Sequence, residues 1–370
     1  MRLLDRYLLR ELLIPFGYCL SGFLIFWISF DLFSELSEFQ RLKLEASDIL
    51  EYYLVKAPET MVVVLPVALL LALLYALTNH ARHQELTAIR AAGVSLWRLS
   101  RPYLAVGFML SLLLFAINEI WVPRSTDAAE EILNRREASR ADKAARLWEP
   151  VRFTNLRENR TWVVEAYNHQ TREMINPMVI WTLAAGTRIE IRAAQAVYEE
   201  GGWVFKSVRE DTFPAVRGVL PSVRQLESLP MPDFQETPDQ IKSEIKVSKI
   251  DSFRKGMRAQ LSIREILDYK RRHPGDRREK LMDTKLHGRL AAPWTCLVVV
   301  LIAIPFGAAS GRRNVFVGVA ASILICFAYF VLQQLTLALG SIGYLPPPLA
   351  AWSPNLFFAA AGILMTSKVR

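Results

Sequence analysis

The chain has 370 residues, a formal net charge of +9 and a mean hydropathy of +0.19, with 52% hydrophobic and 22% charged residues. Its charge is unevenly spread: long stretches carry none, which excludes a pair of ordinary soluble domains and marks membrane spans. No recognition motif accompanies the positive excess, which is therefore assigned to loops on one side of a membrane, with no nucleic acid as partner.

In chain order, Arg2, Arg6 and Arg10 precede a first uncharged run over 12–30. It is too long for the apolar region of a cleavable signal, and no small-residue cleavage site follows. Further uncharged runs cover about 60–78 and 102–118, the latter ending at Glu119, and then 290–310, 315–339 and about 349–366. Runs of this length predict six transmembrane helices. Pro15, Pro66, Pro293, Pro305 and Pro354 lie in or near them, as membrane helices tolerate where neighbours satisfy the freed carbonyls. Cys19, Cys296 and Cys326 sit inside apolar runs at no metal-ligand spacing and read as small buried hydrophobes.

Orientation follows from the short loops. With the N-terminus in the cytoplasm, that side receives Arg2, Arg6, Arg10, Arg82, Arg90, Arg98, Arg101, Arg312, Arg313, Lys368 and Arg370 against only Asp5, Glu11 and Glu85. The other side receives 31–59, where seven acids outnumber three bases, and the uncharged loop 340–353. Both termini are expected to be cytoplasmic.

The insert over about 124–285 then lies outside. It opens with TDAAEEILNRREASRADKAARLW, read as a polar helical extension, after which the hydrophobic period changes to two. In RIEIRA, Ile189 and Ile191 alternate with Arg188, Glu190 and Arg192; further strands are expected at 151–156, 161–167 and 178–183, with a hairpin at Gly201-Gly202. This predicts a small antiparallel β domain, sandwich or open barrel. PMPDFQETPDQ and the polar, helical SIREILDYKRR lead back. The organisation is thus 1–123 with three spans and a cytoplasmic helix over about 80–100, 124–285 with the β domain and helical connectors, and 286–370 with three spans.

Several chemistries are missing. The stretch nearest a phosphate-binding loop, GAASGRR at Gly307 to Arg313, lacks the Lys-Ser/Thr pair, and there is no HExxH and no GxSxG. His80, His83 and Glu85 do not form a convincing metal site, and no cofactor is expected. Energy for any work done must come from a partner.

Between the second and third runs, HARHQELTAIRAAGVSLWRLSR reads as a short helix with Leu86, Ile89, Gly93 and Leu96 on one face and Trp97 at its edge. Ala88, Ala91 and Ala92 are small enough to admit another surface. Glu85 near its start and Arg90 near its end suit the helix dipole, and Gly93 suits the position just past the C-terminus. It is either an interfacial helix whose charges set topology or a coupling helix seated on a cytoplasmic ATPase through Glu85. Arg98 reads as a topology charge.

The chain resembles the LptF/LptG permeases, membrane subunits of the lipopolysaccharide export ABC transporter. The resemblance rests on LDRYLLRE, HQELTAIRAAG, NEIWVP, AAQAVYEEGGWVF, LSIREILDY, HGRLAAPWTCLVVVLIAIPFGAASGRR and GYLPPPLAAWSPNLFF, in that order along nearly the whole chain. It implies an α-helical membrane protein with six spans and a periplasmic, jellyroll-like all-β domain between helices 3 and 4, in the inner membrane. The implied partners are a cytoplasmic LptB-like ATPase dimer, a second LptF/LptG-type permease, a periplasmic LptC/LptA-like jellyroll protein and lipopolysaccharide itself. It assigns the coupling helix to Gln84, Glu85, Leu86, Ile89, Arg90 and Gly93. It assigns a lateral lipid gate to the first and fifth spans, with Phe26, Phe30, Phe33, Phe327, Phe330 and Gln334. Members of the LptG kind tend to carry lysines at the outer end of the first span, where this chain has Asp31, Ser34 and Glu35, with Arg41 and Lys43 only later. The alternatives are a membrane scaffold whose β domain recruits periplasmic proteins, or an MacB-like mechanotransmitting subunit, a type that places its soluble domain after the first span.

Overall fold

A computed structural model describes the chain except residues 1–2, 139–147, 156–157, 169–170, 184–185, 200, 216–219, 235, 251–260, 276–277, 310–314 and 369–370. Arg2, Leu156, Ser310, Arg312, Arg313, Arg370 and the 139–147 part of the expected helical extension lie outside the described residues. The rest forms two compact units, one of residues 1–41, 49–125 and 277–370, the other of 42–48 and 126–276.

The first unit holds six helices long and apolar enough to cross a membrane: Leu3–Leu42, Ala46–Arg82, Leu96–Ala129, Glu279–Phe306, Ile323–Ile342 and Pro347–Ser367. Most of the helices extend well beyond the uncharged runs, because backbone bonding propagates into the polar flanks once a helix is nucleated. At 40 residues the first helix is about 60 Å long, roughly twice the thickness of a hydrocarbon core.

The core of the unit lies along the second helix. Leu65, Leu69, Leu73 and Leu77 recur every fourth residue and pack with Leu99 and Tyr103 of the third span and Val299, Val300 and Ala303 of the fourth. Cys296 and Cys326 belong to this core, with Cys19 at its margin. Small residues allow the helices to approach closely. A Cβ on Gly107 would lie 2.8 Å from Val300 Cγ2, and one on Gly362 would lie 2.6 Å from the Leu301 carbonyl oxygen.

Two spans depart from regular geometry, and in each case a side chain takes a carbonyl. The third passes through a π-helical turn, Ile117–Trp121, where Arg289 Nη1 donates to the Asn118 carbonyl at 2.8 Å. The fourth passes through a 3₁₀ turn, Ala292–Trp294, in which the Thr295 N–H bonds back to the Ala292 carbonyl. The Ala291 carbonyl is thereby released, and Asn355 Nδ2 donates to it at 2.8 Å. Asn355 Oδ1 accepts from the Tyr329 hydroxyl, which in turn can accept from Thr295 Oγ1, 2.8 Å away. One buried chain of hydrogen bonds therefore links the fourth, fifth and sixth spans.

The second unit is built on a six-stranded antiparallel sheet in sequence order, β1 (Trp148–Asn155), β2 (Arg160–Asn168), β3 (Glu173–Thr182), β4 (Arg188–Glu199), β5 (Gly202–Phe213) and β6 (Ser222–Met231). The all-β domain expected between helices 3 and 4 is present, and among the described residues its six strands are hydrogen-bonded neighbours in sequence order, the pairing of a meander. Trp148, expected in the helical extension, begins β1, and the extension's described helix ends at Ala138. At the β4–β5 turn Glu199 faces Gly202 and Gly201 has φ +88°, so the turn sits one residue earlier than Gly201-Gly202. Alternation buries Trp162 and Val164, Ile191 and Ala193, and Trp203 and Phe205 on one face.

That face is covered by the chain after β6. Phe234 packs edge-on to Trp162, and Ile241 and Ile245 of the helix Pro238–Ile250 join the same core. Arg160, fully buried, donates from Nε to Glu236 Oε1 at 3.1 Å with its guanidinium 4.4 Å from the Phe234 ring centre. Trp203 Nε1 donates to the Glu236 carbonyl at 2.6 Å. The helix Ile263–Arg272 starts with a reciprocal cap between Ser262 and Glu265, as SIREILDYKRR suggests.

Asn355→Leu would strand the Ala291 carbonyl in an apolar interior and leave the Tyr329 hydroxyl with Thr295 alone, at a cost of about 1 to 3 kcal/mol. The thermal midpoint of the detergent-purified protein should fall by several degrees, while Ser367→Ala, at an exposed hydroxyl, should leave it unmoved. An unchanged midpoint for Asn355→Leu would show that the network contributes nothing.

Candidate functional site

The segment expected as one helix over 80–100 is three pieces. His80 to Arg82 close the second long helix, Glu85–Ala91 form a short helix of 7 residues, and Leu96 opens the third span behind the Ser95 cap. Gln84 enters the short helix in the left-handed region at φ 60°, its Oε1 accepting from Thr87 Oγ1 at 3.1 Å. Gly93, at φ +83°, ends it: the Gly93 N–H bonds the Arg90 carbonyl and the Val94 N–H the Ile89 carbonyl, the paired bonds of a left-handed C-terminal cap.

A helix this short does not hold itself together in water, so its neighbours must fix it. Leu86 is buried and Ile89 half-buried against the core that contains Leu8, Leu12, Ala81, Leu96 and Tyr103. The apolar face of the short helix is therefore turned into the protein. What faces outward is Gln84, Thr87, Ala88, Ala91, Ala92 and Gly93, with Trp97 beyond, while Arg90 is half-buried. The middle of that outward face carries only the small side chains of Ala88, Ala91 and Ala92.

Glu85 has partners within its own chain. His80 Nδ1 lies 2.7 Å from Oε2, and the Tyr7 hydroxyl donates at 3.0 Å to Oε2 and 3.2 Å to Oε1. His80 is 1% exposed and Glu85 35%, so one edge of the carboxylate remains open to an outside cation. Burial works to raise the Glu85 carboxyl, but the hydrogen bonds from His80 and Tyr7 outweigh it and hold the group below its ordinary value. A carboxyl lowered in this way stabilises the fold above its ordinary value and stops doing so as pH falls through the lowered one. The tie is therefore intact at neutral pH.

Arg98 has a structural role beyond that of a topology charge. Its Nη1 and Nη2 lie 3.1 and 3.2 Å from the two oxygens of Asp5, a bidentate pair in which both side chains are mostly covered. The first helix is thus joined at its start to the 85–98 segment from Asp5 and from Tyr7. Further along, Lys56 Nζ reaches Asp31 at 2.9 Å and the Tyr53 hydroxyl reaches it at 3.1 Å. Asp31 is thereby ion-paired from the second helix. Past Leu8 and Leu12, which enter the core, the first helix is sparsely packed, and no residue from 21 to 38 is buried.

Phe26, Phe30 and Phe33 form one stripe on this open helix, 63%, 62% and 75% exposed. On the fifth span Phe327 is 66% exposed and Gln334 is also outward, whereas Phe330 turns inward with its ring 5.4 Å from that of Tyr329. Sequence reading missed Tyr7, His80, Asp5 and Lys56 as members of this region. Tyr7 and Glu85 are 78 positions apart and Asp5 and Arg98 are 93 apart, a separation at which no periodicity operates. The one available signal was that Asp5 and Tyr7 both fall within LDRYLLRE.

Six membrane-length helices, a separate antiparallel sheet inserted after the third and a short helix docked between the second and third define a multi-pass membrane protein with one extramembrane β domain. Residues 6–368 match the family model described as lipopolysaccharide export system permease LptF/LptG, and the chain belongs to that family. No curated protein matches it.

The Asp5–Arg98 pair can be separated from a topology effect by a double-mutant cycle. Arg98→Ala, Asp5→Ala and the double variant should give a coupling energy of about 1 to 3 kcal/mol in detergent unfolding. A coupling near zero would return Arg98 to the role of a loop charge.

Proposed function

We propose that the chain is a permease subunit of an ABC transporter that extracts lipopolysaccharide from the inner membrane and passes it to a periplasmic bridge toward the outer membrane. Membership of the LptF/LptG family over residues 6–368 carries this reading. Two structural features support it. The exposed Ala88, Ala91 and Ala92 on a docked short helix suit a seat in another protein, and a long helix with an unpacked aromatic stripe suits contact with lipid or a second permease.

In this reading the termini and the short helix are cytoplasmic, as the basic loops favour, and the β domain is periplasmic. ATP is hydrolysed by a separate ATPase dimer, on which this subunit sits beside a second LptF/LptG-type permease. Gln84, Glu85 and the alanine face make the ATPase contact, Leu86 and Ile89 anchor the helix from behind, and Gly93 ends it. The first and fifth spans form the lateral gate, with Phe26, Phe30, Phe33, Phe327 and Gln334 toward the lipid path and Phe330 packed behind it. A periplasmic jellyroll protein receives the lipid.

The test is the amount of ATPase that copurifies with the membrane subunit. Removing one member of a charged pair across an interface costs about 2 to 5 kcal/mol. The lower end applies to Glu85, which keeps internal partners. Glu85→Ala should reduce the copurified ATPase by about tenfold or more, and Glu85→Lys should reduce it further by repulsion. Wild-type amounts with both variants would leave the short helix as an interfacial loop and remove the contact from the proposal.

A further inference from the structure

If the short helix meets an ATPase, Glu85 is oddly placed, because two hydrogen-bond donors from its own chain already hold it. The donors come from different elements. Tyr7 belongs to the first helix and His80 to the last turn of the second, and the two rings stand 5.6 Å apart. The hydroxyl of Tyr7 is within reach of both carboxylate oxygens. Among the described residues His80 Nε2 is buried with no hydrogen-bond partner, so the ring is held through its Nδ1 contact with Glu85.

We propose that Tyr7, steadied by His80 through their shared carboxylate, is a positioning residue that makes the short helix and the inner end of the first span move as one piece. The inference rests on the reading above, in which the short helix follows the ATPase and the first span lines the lipid path. It adds the mechanical connection between them. The first helix runs unbroken from Leu3 to Leu42, through Pro15, so displacement at Tyr7 is carried along one helix. No buried residue between 21 and 38 resists movement of the part that bears Phe26, Phe30 and Phe33. The Asp31 tie to Lys56 and Tyr53 is the polar contact about which that part can turn. The Asp5–Arg98 pair lies two residues from Tyr7 and fastens the same end to the segment that follows the short helix.

Tyr7 is 40% exposed, so removing its hydroxyl leaves the packing of the bundle in place. The experiment uses the full chain with its copurified ATPase, reconstituted in vesicles that contain lipopolysaccharide. It reads lipopolysaccharide released per ATP hydrolysed, with ATPase content measured alongside. For Tyr7→Phe the ratio should fall about tenfold, the scale of one lost hydrogen bond to a charged acceptor, while ATPase content stays within about twofold of wild type. Tyr18→Phe, on the same helix and facing outward, should keep the wild-type ratio. A wild-type ratio for Tyr7→Phe overturns the inference, and so does parallel loss of ATPase and release, which would make Tyr7 part of the ATPase seat. If the wild-type chain copurifies no ATPase, the proposed function itself fails, and that outcome is distinct.

Discussion

Hydrocarbon offers no partner to a polar group, and this constraint places the polar side chains of the helical unit. Where the third span widens into a π turn, Arg289 takes a carbonyl; where the fourth tightens around Pro293, Asn355 takes another. Neither residue is in the irregular stretch it satisfies, so each such bond also fastens one span to another. The irregular turns are in this sense the points where the bundle is joined. They sit on the third and fourth spans, their bonds reach the fifth and sixth through Tyr329 and Asn355, and the first stays outside this network.

The first span is organised on the opposite plan. Its inner third packs through Leu8 and Leu12 into the common core, Phe39 and Leu42 are buried near its other end, and between them its apolar surface stays largely open. Its polar ties, from Asp5, Tyr7 and Asp31, go to side chains on the second helix, the short helix and the start of the third. A helix held at a few polar points with an unpacked face can move without first dismantling a core, because far less buried apolar contact has to be broken. That property suits a subunit whose lipid path must open and close, and it gives the LptF/LptG family assignment a physical counterpart in this chain.

Much of the architecture was legible because membrane spans and half-buried strands leave strong periodic traces. The six spans followed from uncharged runs. RIEIRA showed its strand through Ile189 and Ile191, and in the structure Glu190, largely covered, is paired on either side by Arg188 and Arg192. The β6 strand left no such trace: SVRQLESLPM carries little alternation, ends near Pro230 and lies mostly exposed at the sheet edge, where pairing with β5 and not burial defines it. The covered sheet could not be read either, since the cover comes from Phe234, Glu236 and Ile241, whose contacts with Arg160 and Trp203 are long-range. At the short helix, Gly93 as its terminator was legible from local chemistry. The direction of its apolar face was not. Leu86 and Ile89 look alike whether they meet a partner or the chain's own Leu8 and Leu12, and only the fold decides.

The central claim is that this chain gives lipopolysaccharide an exit from the membrane that a partner's ATP hydrolysis drives. The most direct measurement reconstitutes the complex copurified with the full chain into vesicles containing labelled lipopolysaccharide and follows its transfer to a soluble periplasmic jellyroll acceptor. The account predicts transfer that requires both ATP and this subunit. Steady ATP hydrolysis by the complex with all labelled lipid retained in the vesicles would contradict it.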